Sequence, residues 1–352
     1  RYRVDGEMQQ VMTIPGHVEE AVVARIKVMA DMDTTESRRP QDGHFTQNEV
    51  GAETNFRVRT IPTIGGEKVV LRILDEDTSF LNLDRLGLGP RDRALVEQLI
   101  HKPHGMFVVT GPTGSGKTTT MYAALSAINS VARNIVTVED PVESRLPGIN
   151  QVASDNEHGL GFANALRHIL RQDPDVIMVG EIRDHETAAT AVQAALTGHL
   201  LISTLHTNDA VGAVARLVDL GVAPFKVGGA LLGSIAQRLL RSICPACKEP
   251  CTPNRTLLES LTGGRGVPGE TTFFHGRGCK KCLGTGYAGR IPIFEVMVVS
   301  AALSEAIERN LPSTRLREIA LADGMIELAA AGLEQAVAGR TTVEEVLYKV
   351  SS

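Results

Sequence analysis

Gly111-Pro112-Thr113-Gly114-Ser115-Gly116-Lys117-Thr118 stands between the apolar run Met106–Thr110 and the helix-forming stretch Thr118–Val131. Strand, glycine-rich loop ending in Gly-Lys-Thr, then helix: this is the phosphate-loop pattern in its required context. The glycines let successive backbone N–H groups turn inward, and the helix N-terminus adds its positive end. Lys117 is placed to reach β/γ oxygens and the Thr118 hydroxyl to ligate Mg²⁺, with Thr119 completing the nucleotide-binding set. The competing reading is a glycine-rich strand-to-helix turn without ligand.

Outward from the loop, the apolar runs Ile135–Val138, Val176–Val179 and Leu200–Thr204 alternate with the helical stretches Gly161–Arg171, His185–Thr197 and Ala210–Leu220. That alternation predicts an α/β fold, a mostly parallel sheet with helices on both faces. Upstream, residues 1–85 read as an α+β module: strands at Arg1–Val4 and near Gln10–Ile14, a helix over Val18–Met32, a polar loop Ser37–His44, and strands at Asn55–Ile61 and Lys68–Leu74. A chain that opens inside a strand without an initiator Met reads as a fragment truncated at its start. Asp75–Pro90 is the expected linker. The domains expected are 1–85, a phosphate-loop core at 86–243, a cysteine module at 244–289 and a helical region at 290–352.

Composition excludes several classes. The 352 residues are 43% hydrophobic and 22% charged, an ordinary globular balance. With 36 Lys+Arg against 41 Asp+Glu the net charge is -5, aromatics are 4% and Trp is absent, so the basic, aromatic-bearing footprint of a nucleic-acid translocase is missing. No apolar stretch approaches the roughly 18 residues of a membrane span, and no signal peptide, lipidation motif or basic amphipathic helix is found. A cytosolic protein whose membrane contact is indirect is expected.

Acidic groups close two other strands. Asp175 to Glu181 ends in Glu181, with Gly180 where an Asp commonly stands, so Glu181 is the candidate to hold an attacking or Mg-bound water. Glu139 and Asp140 follow Ile135–Val138 and reach the same rim; a solvated helix N-cap competes for each. His199 and His206 bracket the fourth run, seven positions apart, which puts them at opposite strand ends and argues against a shared metal. The polar cluster after His206 points to a γ-phosphate sensor, against a structural histidine. Four of the five cysteines form Cys244-Pro-Ala-Cys247 and Cys279-Lys-Lys-Cys282, a spacing that could hold Zn²⁺ through four thiolates. Cys251 is left to packing.

From Gly105 to Cys247 the chain resembles the secretion ATPases of type II secretion and type IV pilus assembly. The resemblance rests on the Lys117 loop, Thr137-Val-Glu-Asp-Pro-Val-Glu143, Leu170–Asp175, Gly180-Glu-Ile-Arg-Asp184 and Ser203-Thr-Leu-His-Thr-Asn208. It extends to Pro40-Gln-Asp-Gly43 and Pro62–Arg72, and so to nearly the whole chain. It implies a RecA-like phosphate-loop core after a PAS-like N-terminal domain, with a small zinc insert. It also implies ATP, Mg²⁺ and Zn²⁺ as cofactors, Glu181 as the catalytic Glu, Glu139 and Asp140 as the acidic box, and His199 and His206 as the histidine box. Arg57 and Arg72 match the arginines that neutralise γ-phosphate charge. After Pro-Gln-Asp-Gly the family usually carries Arg, where this chain has His44; a neutral imidazole does not replace a guanidinium.

The implied function is a cytoplasmic homo-hexameric motor that hydrolyses ATP to extend a pilus or pseudopilus. Inner-membrane platform and cytoplasmic adaptor proteins are the implied partners, with no nucleic acid. The pilus retraction ATPase is the alternative within the family, and the four cysteines argue against it. A non-hydrolysing scaffold would need a broken motif, and Lys117 and Glu181 are both present.

Overall fold

The computed structural model describes residues 1–49, 52–74, 81–155, 158–264 and 271–351. The chain divides into two compact units, residues 1–78 and 79–352. The first part of the expected linker, residues 75–80, lies outside the described residues, as do residues 265–270 of the cysteine module.

In the first unit β1 (Tyr2–Val4) and β2 (Glu7–Gln9) form a hairpin. The return strand falls before the expected Gln10–Ile14 because Asp5 and Gly6 both take positive φ (49° and 89°), and this two-residue turn pairs Val4 with Glu7 at once. Helix α1 (Glu19–Met29) leads into Ala30 and Met32, which pack with Val58 on an antiparallel sheet of β3 (Gln41–Glu49), β4 (Ala52–Thr63) and β5 (Gly66–Leu74), in that order. β3 takes up the second half of what reads as a polar loop, since an edge strand can keep a polar outer face. Lys27 is 1% exposed; its Nζ donates to the Glu36 carbonyl at 2.7 Å and pairs with Glu67 at 2.7 Å, so a buried charge is compensated.

The second unit is built on a seven-stranded sheet. In chain order it contains α2 (Pro90–Ile100), β6 (Gly105–Thr110), α3 (Lys117–Ile128), β7 (Ile135–Glu139), β8 (Asn150–Ala153), α4 (Phe162–Ile169), β9 (Val176–Val179), α5 (His185–Leu196) and β10 (Leu200–Leu205). Then come α6 (Gly212–Asp219), α7 (Pro224–Ala230), β11 (Leu231–Ile243), β12 (Lys248–Cys251), α8 (Arg255–Thr262), β13 (Phe273–Gly276) and β14 (Tyr287–Val298). Four helices close the chain: α9 (Ala301–Glu308), α10 (Ser313–Ala322), α11 (Leu328–Val337) and α12 (Val343–Val350). The sheet order is β14-β11-β6-β10-β9-β7-β8, parallel throughout except for the β11–β14 pair.

Strand periodicity divides the core in two. Phe107, Val109, Met178 and Ile202 point to one face, under α2 and α3; Met106, Val108, Ile177, Val179 and Leu201 point to the other, under α4, α5, α6 and α7. Strands buried on both faces read as unbroken apolar runs, which is why β6, β7, β9 and β10 stand within a residue of the ranges expected from sequence. The parallel order also brings the ends of β6, β7, β9 and β10 that follow Thr110, Glu139, Val179 and Leu205 to one rim. The carboxyl rim of an open parallel sheet is where such folds bind ligands.

Candidate functional site

At that rim the loop after β6 turns on glycine. Gly111, Gly114 and Gly116 have φ of 144°, 79° and 88°, a backbone that other residues rarely adopt. Space is as decisive as φ. A Cβ on Gly111 would lie 2.6 Å from the Gln237 carbonyl oxygen, and one on Gly116 would lie 2.8 Å from Gln237 Nε2. α3 begins on Gly116 with no side-chain cap and no acid in its first turn, so its leading N–H groups are left for an anion. The Ser115 hydroxyl is buried without a hydrogen-bond partner among the described residues, a polar group left to be satisfied by a ligand or water.

Lys117 folds over this loop, donating to the carbonyls of Gly111 at 2.8 Å and Pro112 at 3.0 Å. Burial lowers its pKa, the Glu181 carboxylate opposes that fall, and the Arg238 charge adds to it. An ammonium held this way gains from any phosphate that replaces the carbonyls. Thr118 and Thr119 are half-buried beside it in the first turn.

Glu181 follows β9, and its side chain is only 14% exposed. Oε1 accepts from Arg183 Nη2 at 2.5 Å, and Oε2 lies 3.5 Å from Nε2 of His206, one residue past the end of β10. The fold thus unites Lys117, Glu181 and His206. It leaves His199 out: that residue precedes β10, its Nδ1 lies 3.2 Å from the Ala194 carbonyl, and the length of the strand separates it from His206. Glu139 sits at the rim but is 3% exposed, and its oxygens accept from the Tyr122 hydroxyl, from Thr137 Oγ1 at 2.6 Å and from Gln151 Nε2 at 3.0 Å. Burial, then the Glu139 carboxylate, push the Tyr122 phenol far up. With its lone pairs so occupied, Glu139 anchors the strand end, while Asp140 next to it is exposed.

In the first unit Arg57 and Arg72 are directly paired across β4 and β5, and His44 pairs with Arg57 across β3 and β4, so the three share one row on one face. Asp42 lies 3.9 Å from Arg57.

The four cysteines come together although a long stretch of chain separates the two pairs. Antiparallel β12 and β13, in register from Lys248–Gly276 to Cys251–Phe273, fold that stretch back on itself. Gly286 closes the junction: its N–H donates to Cys282 Sγ at 3.3 Å, its φ is 79°, and a Cβ there would meet the Gly276 carbonyl oxygen at 2.3 Å. All four Sγ atoms lie within 4.8 Å of one another. The Sγ separations of 3.9 Å (Cys244–Cys279), 3.9 Å (Cys247–Cys282) and 3.7 Å (Cys279–Cys282) are far too long for disulfides. A tetrahedron of thiolates at Zn–S of about 2.3 Å has edges of about 3.8 Å, so the donor set fits Zn²⁺. Burial pushes the Cys247 thiol up to about 12. Burial acts on Cys282 in the same sense, but N–H groups of Cys279 and Gly286 donating to its sulfur bring it down to about 6, so one thiolate is partly prepared.

Two residues at the site carry no recognisable signal in the sequence. Gln237 and Arg238 lie within β11; Thr120 Oγ1 donates to Gln237 Oε1 at 2.7 Å, and Arg238, 1% exposed, is held by main-chain carbonyls. Neither belongs to a motif, and only the register of β11 beside β6 brings them under the loop.

Residues 1–348 match the family model for type II/IV secretion system proteins. The type II secretion system protein E of Pseudomonas aeruginosa is 47% identical over 347 residues, covering 99% of this chain and 68% of that protein. The type IV pilus assembly ATPase PilB of Myxococcus xanthus is 47% identical over 352 residues, covering 99% of this chain and 62% of that protein. Among solved structures, the pilus retraction motor PilT with bound ADP aligns with a TM-score of 0.65 at 27% identity, over 99% of this chain and 89% of that one. With the phosphate loop, the rim carboxylate and the sequence match all in agreement, the chain belongs to the type II/IV secretion system protein family.

Proposed function

We propose that this chain is the ATP-hydrolysing motor of a type IV pilus assembly or type II secretion system, acting as a cytoplasmic homo-hexamer on inner-membrane platform and adaptor proteins. The observation that carries the hydrolytic reading is the convergence of Glu181, His206 and Lys117 at one strand rim beside a loop with an orphaned buried hydroxyl. In this reading the loop N–H groups, Lys117, Thr118 and Thr119 bind the polyphosphate. Glu181 orients and deprotonates the attacking water, and His206 senses the γ-phosphate through Glu181. Mg²⁺, held through Thr118, would supply charge neutralisation at the phosphates. Arg57 and Arg72 are the proposed arginines for γ-phosphate charge, Glu139 and Asp140 form the acidic rim, and His199 has a structural place. Cys244, Cys247, Cys279 and Cys282 would hold a structural Zn²⁺.

Among the described residues no helix is long and apolar enough to cross a membrane. Attachment through partner proteins is part of the proposal. The identity to pilus assembly and secretion relatives, together with the cysteine centre, favours extension over retraction. Deleting the gene in its source bacterium is the test. The expected result is loss of surface pili or of secreted proteins, whereas an excess of pili that no longer retract would assign the chain to retraction instead.

A further inference from the structure

The loop that carries His206 is held from outside its own strand, and nearly every holding group comes from β11, β14 or the C-terminal helices. The Asn208 carbonyl accepts from Arg238 Nη2 at 2.9 Å, and Arg238 Nε donates to the Lys349 carbonyl of α12 at 3.1 Å. The Asp209 carboxylate accepts from the Gly212 N–H at 2.6 Å and pairs with Arg317 of α10, whose Nη1 also reaches Glu327 at 3.1 Å. The Ala210 N–H donates to Glu295 Oε1 at 2.7 Å, and Oε2 of the same buried carboxylate accepts from the Leu328 N–H, where α11 begins, at 3.1 Å. The Ala210 carbonyl accepts from Ser234 Oγ of β11 at 2.7 Å. Three consecutive residues, 208 to 210, are therefore clamped by four side chains, one residue beyond the histidine that faces Glu181.

We propose that Arg317, acting through Asp209, is a positioning residue that sets His206 against Glu181, and that helices α10 to α12 are thereby part of the γ-phosphate sensor. The inference rests on the reading of Glu181 as the catalytic carboxylate. The Arg317–Asp209 pair is mostly buried (33% and 29% exposed), and Arg317 also screens Asp209 from the buried Glu295, so the pair adds some stability. Its placement bears on geometry. The 3.5 Å from His206 to Glu181 is already at the limit of a hydrogen bond, and a shift of an ångström in the loop would break it. Arg also suits a fork between two carboxylates, Asp209 and Glu327, which the single ammonium of Lys spans poorly.

The test is steady-state ATP hydrolysis and ATP affinity for the full chain and for R317A, R317K, H206A, the double variant R317A/H206A and E181Q. R317A is expected to lower kcat about tenfold while the ATP Kd stays within about twofold and the chain remains folded, with a melting midpoint lowered by at most a few degrees. R317K should recover part of the loss. Because Arg317 acts through His206, the double variant should be no slower than H206A alone, a non-additivity that a merely structural role does not produce. A kcat for R317A within twofold of the parent, or a double variant slowed by the product of the two single effects, overturns the inference. Should R317A fail to fold, R317K and R317Q in the H206A background carry the same comparison. E181Q separates the two layers: if it hydrolyses ATP at the parent rate, the catalytic reading falls and this inference with it. If E181Q is inactive and R317A is unaffected, only the inference falls.

Discussion

Replacing Glu181 by Gln is expected to lower kcat for ATP by about 10²–10⁴-fold, the range that a positioned general base supplies. That corresponds to about 3–5 kcal/mol of transition-state stabilisation. The amide keeps the shape and can still meet Arg183, but it cannot accept a proton from water. ATP binding should survive and even tighten. The carboxylate stands close enough to Lys117 for its charge to oppose the burial that lowers the lysine pKa, and the same negative charge repels the phosphates. Measuring kcat by phosphate release and Kd by a fluorescent nucleotide separates the two effects. A parallel loss of both would mean that Glu181 holds the site together and does no chemistry.

Removing the metal expected at the cysteine centre should have the largest effect on stability. The knuckles 244–247 and 279–282 are joined by the short β12–β13 pair and by main-chain contacts at Gly276 and Gly286, with the sulfurs clustered between them, while Phe273, Leu257, Leu258 and Leu261 tie the segment to the sheet's core. Structural Zn²⁺ contributes about 10–16 kcal/mol of apparent binding free energy in small zinc modules, far more than those strands can supply. One Zn²⁺ per chain is expected by elemental analysis. C247S should lose it, and strong chelators should expose residues 244–289 to protease while the P-loop core stays folded. Binding requires thiolates, and burial holds Cys247 protonated until a metal arrives, so metal loading should release protons and weaken as pH falls. A metal-free chain whose cysteine segment resists protease equally well would refute this assignment.

Much of the core could be read in the sequence for a simple reason. β6, β7, β9 and β10 are buried on both faces, and the phosphate loop is a local motif whose strand, turn and helix are contiguous. β11 was hidden because its interior holds Gln237 and Arg238, residues that look wrong for a buried strand. Their partners, Thr120, Asn208 and Lys349, lie far away in sequence. β14 was hidden by Gly289 and Pro292, yet it runs along the sheet edge, the place in a sheet where proline is tolerated. The seven-residue spacing of His199 and His206 correctly set them at opposite strand ends. It could not say which of them meets Glu181, because that depends on the parallel register of β9 and β10. The ion pair of Arg317 with Asp209 spans more than a hundred positions and leaves no local trace.

The most direct measurement is Mg²⁺-dependent phosphate release from ATP by the purified chain as a function of protein concentration. A ring motor whose subunits complete one another's work predicts saturable turnover that rises faster than linearly with concentration and then levels once rings are formed. Tight ATP binding with no phosphate release at any concentration would contradict the account, leaving the nucleotide as a structural switch and the Glu181–His206 pair without the chemistry assigned to it.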